Sequence, residues 1–200
     1  MKKNIVLIFF GICLLSTDLC AFNFDHLQKV KNGEKNLVGF DLSGAGLSGV
    51  NLVGVNLEGA NLVGADLSEA DLSGAKLIKT NLYNVNLSKA NLSNADLTDA
   101  DLRDVDLTGT DAGPNLSGAD LSNANLKSAN LSGAILNGAI LKKVKLAGTN
   151  LSGAKLTQID FSEVDLAGAN LSEVDFEGAV NMSVEQKKYI LEFSRTKNVP

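Results

Sequence analysis

Tryptophan is absent from this 200-residue chain; tyrosine, proline, cysteine and methionine occur twice each, and histidine once. With so few aromatics, Leu, Ala and Gly must supply most of any core. Both cysteines, Cys13 and Cys20, lie near the start, so the rest of the chain has no disulfide and no thiolate. His26 alone cannot assemble a nucleophile, a base and an orienting group, and it reads as a helix-surface residue. Asp and Ser recur throughout without a unique constellation. No catalytic, cofactor-binding or metal-ligating residue is assigned, and an enzyme, hydrolytic or otherwise, is the least favoured reading.

Long hydrophobic runs are equally scarce. The one at the start, Ile5 to Leu15, is too short for a transmembrane helix. It follows Lys2 and Lys3 and precedes Ala21, the pattern of a signal peptide over residues 1–21. The mature chain is then expected to begin at Phe22 and to be exported, either periplasmic or secreted, with no membrane span. Removing that segment leaves 16 basic and 22 acidic residues, a formal charge of −6. Such a balance argues against direct nucleic-acid binding or adsorption to anionic membranes.

What the chain has in abundance is a repeat of five residues, as in GADLSEADLSGA at 64–75. Leu fills every fifth position from Leu37 to Leu107, fifteen times, and the series runs thirteen more times from Leu116 to Phe176, with Phe161 and Phe176 as the only replacements. Counting each of these as position 0, position −2 is small or β-branched, with Phe40 the bulky exception. Position −1 is usually Asp or Asn, +1 often Ser or Thr, and +2 commonly Gly. On a helix, five residues advance the direction by about 140°, so no leucine stripe survives. In extended chain, −2 and 0 share one face while −1 and +1 point the other way. Parity breaks once per repeat, so the chain must turn a corner, and Gly, Asn and Asp at +2 tolerate corner dihedrals. Corners of one hand give stacked coils. Periodicity alone does not choose between three and four repeats per coil.

The A-(D/N)-L-x-x array from Lys35 to Gly178 resembles the pentapeptide-repeat family. The resemblance implies an all-β fold, a right-handed quadrilateral parallel β-helix (solenoid), with four repeats per coil and about seven coils, roughly 34 Å long. The expected organisation is a helical cap at 22–34, the β-helix at 35–179 and a capping helix at 180–200. One residue is missing between Leu107 and Leu116, where Gly113-Pro114 marks a turn, and a register break near 111–115 is expected as a bulge at one corner. Asn23 or Asp25 caps the first helix, with Phe24, Leu27 and Val30 on the first coil. Ser183 and Gln186 form a capping box for the second, which should run to about Arg195. Some family members dimerise through the C-terminal segment, so a homodimer through this helix is a further expectation. GAGLSG at 44–49 matches a dinucleotide fingerprint only because Gly recurs with the repeat.

Charge varies along the chain. Asp96, Asp99, Asp101, Asp104, Asp106 and Asp111 form an acidic band relieved by Arg103. Residues 121–159 contain no acid but include Lys127, Lys142, Lys143 and Lys145. These ten residues, six acidic and four basic, are the candidate partner-contact surface. Some members of the family mimic duplex DNA and bind DNA gyrase, so a DNA-mimicking inhibitor or protector of gyrase is one reading. The export pattern and the basic band favour another: a non-enzymatic exported scaffold that binds a protein or cell-envelope component.

Overall fold

The computed structural model describes residues 23–110 and 113–193, with the backbone alone for Phe193. The signal-peptide assignment and the end of the second helix beyond Phe193 lie outside the described residues, as does the contact residue Asp111.

Nearly every repeat closes the same turn. The carbonyl of position 0 accepts the N–H of +3, as from Ala70 to Leu67 O at 3.1 Å. Position +2 takes a positive φ, 63° to 68° at glycines such as Gly54 and Gly133 and 59° at Glu69. That dihedral suits position i+2 of a type II turn, which explains the Gly, Asn and Asp preference there. Apart from the shortened corner at Gly113 and Pro114, Glu163 alone among the described corners departs from it.

Stacked repeats pair in parallel at a spacing of 20 residues, as in Asn36 with Asn56 and Asp66 with Asn86. Four repeats therefore make one coil, the point that periodicity left open. Four faces result, each named by its ladder of −1 residues. Face one carries Asn56, Lys76, Asp96 and Asn115; face two Asn81, Asp101, Asp120 and Ile140; face three Asp106, Asn125, Lys145 and Asp165; face four Asn91, Asn130, Asn150 and Asn170.

The leucines point inward. Leu87, Leu97 and Leu102 are fully buried, and the alanines at −2, such as Ala90 and Ala100, are buried beside them. Where −2 is threonine, its hydroxyl finds a carbonyl: Thr80 donates to Leu57 O at 2.9 Å and Thr149 to Leu126 O at 2.6 Å. Among the described residues no buried side-chain polar atom lacks a partner, as a stable core requires.

Across the missing residue the spacing drops to 19, in Asp96 with Asn115, Asp101 with Asp120 and Asp106 with Asn125. Pro114 occupies the −2 position of Leu116 and is buried. At nearly all other repeats the −2 N–H closes the turn, and proline has none. The shortened corner thus dispenses with one donor, and the stack resumes with Leu116 N–H on Ile135 O at 2.7 Å.

Helices close both ends. Helix α1 (Phe24–Lys31) starts at Asn23, whose side chain accepts the N–H groups of Asp25 and His26. Leu27 and Val30 are buried against the first coil, but Phe24, at the first position of the helix, stays 51% exposed. Helix α2 (Val184–Phe193) opens with a reciprocal pair: Ser183 N–H donates to Gln186 Oε1 at 2.6 Å, and Gln186 N–H to Ser183 Oγ at 3.1 Å. Gln186 Nε2 then donates to Phe161 O at 2.9 Å and Val164 O at 2.6 Å. Tyr189 OH donates to Ala169 O at 3.1 Å and accepts the Gly168 N–H at 3.0 Å. These side chains replace the bonds a further coil would make, and Ile190 is fully buried beneath them. Among the described residues no helix is long and apolar enough to cross a membrane.

Candidate functional site

The outward Asp and Asn at −1 have a local task that the sequence reading missed. Their Oδ1 accepts the N–H of +1 in the same repeat: Ser68 on Asp66 at 3.0 Å, Ser88 on Asn86 at 3.0 Å, Thr108 on Asp106 at 2.9 Å. This is the Asx-turn bond, open to Asp and Asn because their side chains are short. An Asn one coil further on donates to the Asp beneath it, as Asn86 does to Asp66 at 3.2 Å and Asn115 to Asp96 at 3.2 Å. Alternating Asp and Asn up a face is therefore self-satisfying.

The acidic band is a ring. Asp96, Asp101 and Asp106 lie on faces one, two and three of a single coil, while Asp99 and Asp104 sit at corners with φ of 56° and 57°. No single partner surface meets them all. On face two Asp101 is stacked with Asp120, with no Asn between them. Arg103 fills that need: its Nε donates to Asp101 Oδ1 at 2.8 Å, its second nitrogen to Oδ2 at 2.6 Å, and it lies 3.9 Å from Asp120. Those hydrogen bonds hold the Asp101 carboxyl below the usual carboxylate range. The guanidinium also lies 5.6 Å over the Tyr83 ring.

The lysines, by contrast, converge. Lys142 is on face two, Lys143 at the next corner, and Lys127 and Lys145 on face three in adjacent coils. Lys142 pairs with Glu163 at 3.0 Å, and Lys143 lies 4.0 Å from the same carboxylate. Among the described residues Lys127 and Lys145 make no ion pair.

Beside them the wall of the coil is indented. Lys143 N–H bonds to Glu163 O at 3.1 Å and Gly148 N–H to Gly168 O at 3.0 Å, whereas the regular pattern, Gly138 to Thr157 O, reaches one residue less far. Ile140 and Asp160, opposite each other by register, are not bridged. The result is a recess of about 370 Å³ floored by Val144, Leu146, Ala147 and Ala167 and edged by Lys127, Lys143, Lys145, Glu163 and Asp165. Ala147 and Ala167 are the only alanines at +1 in the whole array, and they are stacked on the same face. Twenty-residue spacing read at +1 is the signal that could have found them.

Elsewhere the surface gives less. Among the described residues no group of three or more His, Cys, Asp or Glu is placed to hold a metal ion. His26 is more than a surface residue: its Nδ1 accepts the Asp41 N–H at 3.0 Å, and its ring stacks on Phe40 at 4.0 Å.

A rod of stacked four-cornered coils, with inward Leu and Ala and an Asx-braced exterior, defines a β-helical solenoid. The pentapeptide-repeat family model matches in 8 copies over residues 41–77, 75–111, 112–142 and 145–180, and the chain belongs to that family. Proteins of this family fold as right-handed quadrilateral β-helices and are in general structural or binding proteins rather than enzymes. Solved structures similar to the chain include a pentapeptide repeat protein of the Arabidopsis thaliana thylakoid lumen (31% identity, 64% of this chain and 75% of that one, TM-score 0.49). HetL, involved in heterocyst differentiation regulation in the cyanobacterium Nostoc, is 30% identical over 80% of this chain and 92% of its own, with a TM-score of 0.31. QnrB1, a plasmid-mediated fluoroquinolone resistance protein, is 24% identical over 76% and 92%, with a TM-score of 0.42. No match is found among curated proteins.

Proposed function

We propose that this protein is an exported, non-enzymatic scaffold, coiled right-handed as its family is, whose outer surface binds a protein or cell-envelope component. The observation that carries the binding reading is the pairing pattern on faces two and three. Among the described residues Lys127 and Lys145 make no ion pair beside an apolar floor, while Arg103, Lys142 and Lys143 face acids of the rod itself. Charge left uncompensated next to apolar surface is what a complementary partner can cover. The export reading rests on Lys2, Lys3 and the apolar run that follows. Val184 and Leu191, 79% and 71% exposed on α2, supply apolar surface for a homodimer through that helix; sedimentation equilibrium tests it.

Two experiments decide the main reading. Fractionation with N-terminal sequencing should find chains beginning at Phe22 outside the cytoplasm; Met1 or Lys2 on soluble cytosolic protein would overturn export. A crosslinked pull-down from the periplasmic fraction should yield a partner that Lys127→Glu/Lys145→Glu releases; retention by that variant would move the contact elsewhere. The alternative, a DNA-mimicking inhibitor or protector of gyrase, needs a continuous acidic face. Face three instead presents Asp106, Asn125, Lys145 and Asp165 in turn. Residues 22–200 should therefore leave supercoiling by gyrase unaffected. Dose-dependent inhibition that disappears on reversing Asp101 and Asp106 would promote the alternative.

A further inference from the structure

We infer that the recess on face three captures the free carboxylate terminus of a partner polypeptide whose last side chain is apolar. This deepens the scaffold reading and rests on it, but it is tested with small probes and no partner. Its failure would leave that reading to the pull-down.

Three observations select this ligand. The first is charge. Lys127 and Lys145 lie one coil and two residues apart on one face, about 8 Å by strand geometry, so one carboxylate between them meets two ammonium groups. Among the described residues neither makes an ion pair, whereas Lys143 on the same rim lies 4.0 Å from Glu163. The second is the acid on the edge. Asp165 Oδ1 already accepts the Ala167 N–H at 2.9 Å, and its other oxygen remains as an acceptor. A peptide terminus carries an amide N–H next to its carboxylate and satisfies both signs. A phosphate dianion brings twice the negative charge of a carboxylate beside Asp165 and Glu163 and has no apolar group for the floor. The third is the floor. Val144, Leu146, Ala147 and Ala167 offer an apolar surface, and about 370 Å³ is at the small end of ligand pockets. That suits one terminal residue and is poor for a nucleotide. A longer side chain at either alanine would fill the space, and every other +1 position of the array carries one.

The test is a methyl NMR titration of the full-length protein with alanine methyls labelled. N-acetyl-leucine should shift the Ala147 and Ala167 signals saturably. N-acetyl-leucinamide and inorganic phosphate should each bind at least tenfold more weakly. Lys127→Gln/Lys145→Gln should abolish the shifts, as should Ala147→Gln, which fills the recess without changing charge. Lys155→Gln, on face one, should not. Unchanged signals from the core alanines Ala90 and Ala100 show that each variant is folded. Equal shifts with the amide, tighter binding of phosphate, shifts that survive either recess variant, or no saturation by about 10 mM would each overturn the inference.

Discussion

Arg103 offers the sharpest test of how the rod manages its own charge. Parallel ladder neighbours lie about 4.8 Å apart, and Asp101 and Asp120 are such neighbours. Their side chains are 28% and 32% exposed, so the relevant dielectric lies between water and the protein edge. Two like charges at that distance repel by about 0.9 kcal/mol at a dielectric of 80 and about 3.5 kcal/mol at 20. Removing Arg103 uncovers that repulsion and also deletes a half-exposed ion pair worth under about 1 kcal/mol. Arg103→Ala should therefore cost about 1–2 kcal/mol at low salt, or roughly 2–8 °C in Tm. The cost should shrink in 1 M salt, where the screening length falls to about 3 Å. Asp120→Asn in that background should restore most of the loss, because an Asn can donate to the Asp below it as Asn115 does to Asp96.

The pH dependence has a definite sign. The folded Asp101 carboxyl is held low by Arg103, so its contribution is complete above the ordinary value of about 3.9 and is lost as pH falls through the lowered one. The gap between wild type and Arg103→Ala should close once the Asp101 carboxyl is protonated. Scanning calorimetry across salt and pH gives every quantity needed. An Arg103→Ala/Asp120→Asn protein no more stable than Arg103→Ala would refute the ladder-repulsion argument.

Other outcomes follow from the same geometry. Leu87→Ala should cost about 2–5 kcal/mol through its cavity, and Leu87→Asp more, whereas Ser88→Asp, on the outer face, should change stability by less than about 0.5 kcal/mol; equal melting of the last two variants rejects inward leucines. His26→Ala removes the acceptor of the Asp41 N–H and the stack on Phe40, so hydrogen exchange should accelerate in the first coil and stay unchanged past Leu116. Gln186→Ala leaves the Phe161 and Val164 carbonyls without its donors and should cost about 1–3 kcal/mol, with exchange rising first in the last coil. Backbone and side-chain donors from Ser162 and Asn181 hold Asp160 low, so the last coil too should loosen as pH falls below the carboxylate range and remain firm above it.

Leu87 shows what could be read without coordinates. Its inward direction follows from parity alone, because −2 and 0 share a face only if the chain turns once per repeat. Coil length did not follow: nothing local distinguishes three corners from four, and only Asn86 opposite Asp106 settles it. The acidic band was misread because its residues were placed along the chain rather than on faces. Asp96 and Asp106 look like one patch along the chain but fall on different faces. Lys127 and Lys145, read from sequence as parts of one basic band, lie on one face in adjacent coils. The Asp and Asn at −1 looked merely solvated, because a bond to the next-but-one N–H leaves no periodic mark beyond the residue type itself. Glu163 was opaque for another reason. It sits at a position where Glu69 and Glu173 adopt the positive φ that it does not.

The sealed ends carry a consequence for assembly. Each coil is a template for the next, so a bare stack is a growing polymer, and another chain's first coil could add to an open last one. Gln186, Tyr189 and Ile190 occupy that growth point, and α1 occupies the opposite one. They act as chain terminators, which set the length of the rod. A chain lacking both α1 and the residues from Ser183 onward should lose that limit and join end to end into filaments, with the same bonds now made between molecules.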